Sequence, residues 1–432
     1  GSPNIKLLYD AYHMQIMEKM SACIRKIMFG ALLCVLVLQG CAQPSDKETE
    51  REAGEKEEIV LWTYYETEMQ KASMDELAAG FNESQEEYHL TWEYQGPVTE
   101  FNKRLAIGIT QNQLPDMAIL DNPDMPSYID MGKLEDITED VKEIEDLDQY
   151  FPNAMESVIS DGRYYGLPFC CNNVTLIYNK DILEEEKVSV PETWEELQAA
   201  ARELSAPGRY GFAMSAIDGE QGAFQFGAFM LSAGDSLEQA GGEGTLSAFR
   251  FIRDMTEQGW MSRDCVNWSQ NDVARTFIKG ECAMMENGPW VFPALEESGI
   301  NYGVAAFPIG EQQKGLLGGE DIVVLKGKNV AGSVAFLKYY SQTQAMLNTN
   351  LMANSLPPRR DVAQLSLKVN PRYEVVLSQM ENCISRAGCN NWSELSAKLV
   401  DGQFRVITGE SSPEEVCAKI REVKENDAGE GE

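Results

Sequence analysis

Apolar and polar positions switch between two periods along most of the chain. Residues 59–65, Ile-Val-Leu-Trp-Thr-Tyr-Tyr, form a short continuous apolar run, the pattern of a buried strand. Behind it Met74, Leu77, Ala78 and Phe81 recur at i, i+3, i+4 and i+7, which predicts an amphipathic helix. A second strand is predicted over 88–94, a helix over 101–111, and a third short strand over 115–120 that ends in Asp121-Asn122-Pro123. Strand and helix in alternation predict an α/β fold, a parallel or mixed sheet with helices on both faces. In such sheets ligands gather beyond the carboxyl ends of the strands.

The stretch 162–180, GRYYGLPFCCNNVTLIYNK, breaks this rhythm. Pro168 holds Leu167 extended, and Val174, Leu176, Ile177 and Tyr178 read as a buried strand. Two strands joined by the polar step Cys170-Cys171-Asn172-Asn173, with no tight turn, suit a backbone passing from one domain into another. Farther on, Thr193 reads as an N-cap with Glu196 completing a capping box. Ala283 to Trp290 reads as a strand and a turn, and 302–307 as a strand. The run 315–321, Gly-Leu-Leu-Gly-Gly-Glu-Asp, reads as flexible, with the apolar 322–325 as a return crossover. Helix is predicted from Val334 to Tyr340. Leu356-Pro357-Pro358-Arg359-Arg360 then breaks it at a third crossover, and Ser412-Pro413 opens the last helix with a Ser N-cap.

The first 60 residues follow another logic. Gly1-Ser2 opens the chain without Met, and residues 1–16 read as lying upstream of an export signal. Lys19, Arg25 and Lys26 precede an apolar run of 12 residues, Ile27 to Leu38, against the roughly 20 that a membrane-spanning helix needs. Residues 42–58 are rich in Glu, Lys, Ser and Thr and read as a disordered tether.

Charge and cysteine content narrow the function classes. The chain carries 36 basic and 69 acidic residues, a formal net charge of −33. That balance argues against nucleic acid, which needs a basic footprint, and fits solubility outside the cell. Ten cysteines include Cys23 and Cys34 in the signal and Cys41 at its end, which leaves an odd seven. Cys383 and Cys389 lie six apart, either bridging a loop or free. After the signal only His89 remains, so a His-based triad or a zinc site with several His ligands is nearly excluded. No cofactor is implied.

Five landmarks in order carry a resemblance: Pro115-Asp116 with its apolar strand, Gly166-Leu167-Pro168 through Tyr178-Asn179-Lys180, Thr193-Trp194-Glu195-Glu196-Leu197, Met285-Glu286-Asn287-Gly288-Pro289-Trp290, and Tyr302-Gly303-Val304 with Phe307-Pro308. Over residues 58–424 the chain resembles the extracellular solute-binding proteins of ABC sugar importers, the maltodextrin-binding type. Leu38-Gln39-Gly40-Cys41 resembles the bacterial lipobox, in which the Cys is lipidated, with Gln39 a less usual occupant of its position. The resemblance implies two α/β lobes joined by three crossovers and closing by a hinge motion. It implies a leader over 1–40, a tether over 41–57, a first lobe of 58–171 with 322–358, a second lobe of 172–321 with 359–424, and an acidic tail of 425–432. It also implies a monomer held by its lipid on the outer face of the cytoplasmic membrane, handing a carbohydrate to permease subunits.

The same resemblance carries a binding site. Tyr64 and Glu66 fall in the loop after the first strand, Asp121 and Asn122 in the loop after the third, and Asn172 at the first crossover, where relatives have a carboxylate. Trp290 falls on the turn whose Trp stacks on a pyranose face. Phe224, with Gln225 beside it, falls near a second-lobe aromatic. Gly319 and Glu320 fall at the second crossover, and Trp392 falls at a late cleft Trp whose spacing matches only approximately. Independently, sugars offer apolar C–H faces to aromatic rings and a rim of hydroxyls to Asp, Glu, Asn and Gln. Trp194 reads as structural, Trp92 as core, and Trp62, Trp260 and Trp268 more often as structure than as ligand contacts. Arg359 and Arg360 read as structural. The alternatives are a same-fold binder of another solute such as a polyamine or a phosphorylated compound, a sensor partner, or a secreted carbohydrate-active enzyme with two facing carboxylates.

Overall fold

The computed structural model describes residues 56–389 and 391–429; the leader, Cys41 and most of the tether lie outside the described residues. Apart from a small hairpin (Ile159–Ser160 with Arg163–Tyr164), the strands in chain order are β1 (Glu57–Thr63), β2 (Tyr88–Tyr94), β3 (Met117–Asp121), β4 (Gly166–Pro168), β5 (Thr175–Asn179), β6 (Tyr210–Ala213), β7 (Cys282–Asn287), β8 (Tyr302–Ala305), β9 (Gly315–Leu317), β10 (Glu320–Val324) and β11 (Cys383–Ser385). One sheet has the order β2-β1-β3-β10-β4, the next β8-β5-β7-β6, and β9 pairs with β11. In the first sheet β1, β2 and β3 are parallel, and β10 enters antiparallel between β3 and β4. Both sheets belong to one compact unit that begins at Lys56. This is the mixed α/β architecture that the alternation of periods predicts.

Local sequence explains the elements. The helix Glu68–Ser84 buries Met74, Leu77, Ala78 and Phe81, the four positions of the period. Thr67 caps it by accepting from Gln70 N, and Gln70 reaches back to complete the box, a device worth about 1 kcal/mol. Thr193 likewise accepts from Glu196 N at 3.2 Å, but the Glu196 carboxylate takes the Glu192 N–H instead (2.8 Å). Thr193 itself lies in an isolated bridge to Ile309, which fixes the backbone before the helix. Ser412 and Glu415 do complete a reciprocal box at the last helix, Pro413–Gly429.

Two expectations change and one open alternative is decided. Residues 315–321 are not a flexible loop: they supply β9 and the first half of β10, each pairing with a strand far away in sequence. Trp92 is half-buried rather than core, with Nε1–H donating to Asp75 at 2.9 Å. Cys383 and Cys389 are both free, as are Cys170, Cys171, Cys265, Cys282 and Cys417. Cys383 Sγ instead contacts the Gln379 carbonyl at 3.4 Å.

The chain passes between the two sheets three times, and the passes are tied together. Cys171 exchanges both backbone hydrogen bonds with Leu356 (2.8 and 3.0 Å), and Asn172 exchanges both with Gly318 (2.9 Å each). Gly319 has φ +134°, and a Cβ there would lie 2.1 Å from the Cys170 carbonyl. Only glycine lets these two passes come so close.

Candidate functional site

The carboxyl ends of β1 and β3 and the start of the antiparallel β10 share one end of the first sheet. They present Tyr64, Asp121 and Glu320 there, with Asp121 and Glu320 directly opposite in register. Like charges so placed repel. The sheet holds them because each carboxylate has donors. Tyr64 OH (3.2 Å) and Cys170 Sγ (2.5 Å) donate to Glu320. Burial, with Asp121 adding to it, pushes Glu320 up to about 7. Asp124, one turn beyond β3, is also pushed to about 7 by burial and by Asp121, and its one side-chain donor is Asn102 Nδ2 at 3.3 Å. Burial and the same carboxylates push the Tyr64 hydroxyl well above its ordinary range.

The facing wall comes from the second sheet and its helices. The helix Glu220–Ser232 sets Glu220 and Phe224 one turn apart on a common face. Trp290 sits in a turn after β7, its ring lying over Gly288, where a Cβ would meet it at 2.0 Å. The Phe224 and Trp290 centroids are 6.4 Å apart, and the Phe224 ring tip lies against Gly318 beside the Asn172 side chain. The Trp290 Nε1–H is enclosed and has no partner.

Arg386, just past β11, joins the walls. Nη2 donates to Asp121 Oδ1 (2.9 Å) and Asn122 Oδ1 (3.0 Å), Nη1 to Glu220, and Nε to the Leu317 carbonyl (3.2 Å). The guanidinium lies 4.9 Å from the Phe224 ring centroid and 5.9 Å from that of Trp392, whose Nε1–H donates to Glu220 (3.0 and 3.1 Å). Burial works against the Arg386 charge, but Asp121 and Glu220 overcome it and hold the cation. Burial raises Asp121 and Glu220 in turn, and Arg386 opposes the rise. Among the described residues no group of His, Cys, Asp and Glu is placed to hold a metal ion.

The structure thus brings Tyr64, Asp121, Asn122, Asn172, Phe224, Trp290, Gly319, Glu320 and Trp392 into one neighbourhood. Glu66 is exposed, outside this cluster of contacts. Gln225 is wholly buried within the second wall, its amide spanning Ser215 N and the Glu286 carbonyl. Helical geometry explains the split: Phe224 and Gln225 are neighbours in sequence and about 100° apart around the axis. Arg359 is buried against Asp146, Asp361 and the Ser341 carbonyl, in the structural role expected. The residues that sequence reasoning missed are Arg386, Glu220, Asp124 and Cys170 as a donor. Arg386, Glu220 and Cys170 take their roles from partners more than a hundred residues away, and Asp124 takes its donor from Asn102 on the preceding helix.

Three comparisons bear on this arrangement. A family model described as "Bacterial extracellular solute-binding protein" matches residues 76–373. The chain is 30% identical over 220 residues to the maltotriose-binding protein of Pyrococcus abyssi, covering 48% of this chain and 45% of that one. It is 24% identical over 354 residues to the sn-glycerol-3-phosphate-binding periplasmic protein of Agrobacterium fabrum, covering 74% and 80%. Its fold matches a solute-binding protein of an ABC transporter from Thermotoga lettingae, solved with α-D-tagatose, at a TM-score of 0.76 and 21% identity over 85% of this chain and 99% of that one. With a family model matching residues 76–373 of a two-sheet fold with tied crossovers, the chain belongs to the bacterial extracellular solute-binding proteins.

Proposed function

We propose that this protein captures a carbohydrate, an oligosaccharide or a smaller sugar, in the cleft between the walls of the two sheets and delivers it to the membrane subunits of an ABC importer. The observation that carries the reading is the convergence of aromatic faces (Tyr64, Phe224, Trp290) with carboxylates and amides (Asp121, Asn172, Glu320) beside three tied crossovers. Rings suit the C–H faces of a pyranose, and the polar set suits its hydroxyls. In this reading the first lobe is built on the five-stranded sheet, the second on the four-stranded sheet, and a monomer closes by bending at Cys171, Gly318 and Leu356. It binds without chemical change. Its relatives include sugar binders and a glycerol-phosphate binder, and the family name places its members outside the cell. Cys41 would carry the lipid that keeps it near its permease.

The test is thermal unfolding of the chain from residue 42 onward against neutral, basic and acidic mono- and oligosaccharides. A ligand at about a hundred times its Kd stabilises the native state by about 2.7 kcal/mol. A shift with one glycan class that Trp290→Ala abolishes supports the reading. No shift across the panel removes it.

A further inference from the structure

The site gathers more carboxylates than its own cation pairs. Four carboxylates gather there: Asp121, Asp124, Glu220 and Glu320. Arg386 is the cation whose charge reaches them, and it pairs directly with only two, Asp121 and Glu220. Four of the five N–H groups of a guanidinium are accounted for by Asp121, Asn122, Glu220 and the Leu317 carbonyl. The plane of the cation is flanked by Phe224 and Trp392. An incoming phosphate or carboxylate would therefore have to break the pairs of Arg386 before using it, and would meet Glu320 and Asp124 on the way.

Those two carboxylates lack a cation. Glu320 receives only the neutral donors Tyr64 OH and Cys170 S–H, and Asp124 only the Asn102 amide. The other side-chain atom of that amide, Asn102 Oδ1, is an enclosed acceptor with no partner. Glu320 stands opposite Asp121 in register, and Asp124 follows Asp121 by three residues in the turn after β3. All three carboxylates remain partly exposed, as does Tyr64. The site is thus rich in acceptors and short of charged donors, and an ammonium group brings three N–H donors and a positive charge together.

We propose that the cleft selects a carbohydrate bearing a free amino group, its ammonium taken up beside Asp121 by Glu320 and Asp124, and that it discriminates against phosphorylated and uronic sugars. The proposal rests on the carbohydrate reading and sharpens it to a ligand class.

Isothermal titration calorimetry separates the two. The probes are glucose and maltotriose, glucosamine and its β-1,4 oligomers, the N-acetylated forms of the same oligomers, glucose 6-phosphate, glucuronate, and spermidine. The expected result is that an amino sugar binds at least tenfold more tightly than its N-acetyl counterpart, with the advantage shrinking from 20 to 500 mM salt as screening requires. In Glu320→Gln and, separately, Asp124→Asn, the ratio of amino-sugar to N-acetyl affinity falls toward one. Two variants are used because each alters the end of the first sheet, and melting of each reports directly whether it stays folded. If neutral, N-acetylated or acidic sugars bind as well as amino sugars, the charge inference is overturned and the carbohydrate reading stands. If only spermidine binds, the carbohydrate reading fails and takes the amino-sugar proposal with it.

Discussion

Arg359 and Arg386 have both been taken almost wholly out of water, each with a side chain 3% exposed. Arg359 sits at the third crossover and gives its hydrogen bonds to Asp361, Asp146 and the Ser341 carbonyl. Its acidic partners stay largely in solvent, 39% and 58% exposed. Arg386 gives its bonds to Asp121 and Glu220, which are only 22% and 32% exposed and stand among further carboxylates. The first arginine fastens a turn whose partners water would readily reclaim. The second bridges charges that water cannot fully reach. Burial of the cation is the same in both, so the surroundings of its partners decide what the residue does.

The largest effect is expected from Arg386→Met. Removing one partner of a buried pair costs roughly 3–5 kcal/mol, and here it also leaves Asp121 and Glu220 facing each other across the cleft. Melting of the ligand-free protein should drop by that amount, and small-angle scattering should show a larger radius of gyration as the walls separate. An unchanged radius would break the contrast with Arg359. Next comes Gly319→Ala, where a left-handed φ and a Cβ 2.1 Å from the Cys170 carbonyl should cost about 2–3 kcal/mol and weaken ligand binding by disturbing the hinge. Arg359→Met should cost less, about 1–2 kcal/mol, since its partners rehydrate and exposed pairs contribute little. Ligand affinity of the folded fraction, read by calorimetry, should not change.

A smaller effect is tied to pH. Glu320 has a folded value of about 7, raised by burial above its ordinary 4.5. A carboxyl raised on folding adds stability that is fully present below pH 4.5 and is lost as pH climbs through 7. The ligand-free protein should therefore melt lower at pH 8 than at pH 5, and Glu320→Gln should flatten that slope by about 1–2 kcal/mol after allowance for partial exposure. Glu286 works in the same direction, since neither carboxyl oxygen has a partner and burial alone pushes it well up. Glu286→Gln should leave ligand affinity untouched and remove a further part of the decline.

Much of the frame could be read from the chain. Short apolar runs gave β1 and β3 and an alternating run β2, the i, i+3, i+4, i+7 set gave the helix after β1, and Gly288-Pro289-Trp290 marked the turn that holds Trp290. These signals are local, and local physics decides them. The charges of the cleft were legible only in part. Asp121 and Glu320 sit at strand ends, where sheet geometry points to ligands. Arg386 and Glu220 have no such address, and neither is functional until a residue from a distant segment meets it. The glycine-rich run at 315–319 looked loose for a related reason: the strands that order it, β11 and β3, are encoded far from it.

The place of β10 has a consequence for how the molecule comes into being. The first sheet cannot be completed by its own early segments, because the strand between β3 and β4 is residues 320–324. As the chain emerges, some two hundred residues must appear after Asp121 before its register partner Glu320 is available. Until then β3 keeps an open edge and β4 has no neighbour in that sheet. A chain of an extracellular family must cross a membrane before it does its work, and one whose first sheet waits on a distant strand stays threadable while it does so. The late strand acts as a clasp that closes only when the thread has run through.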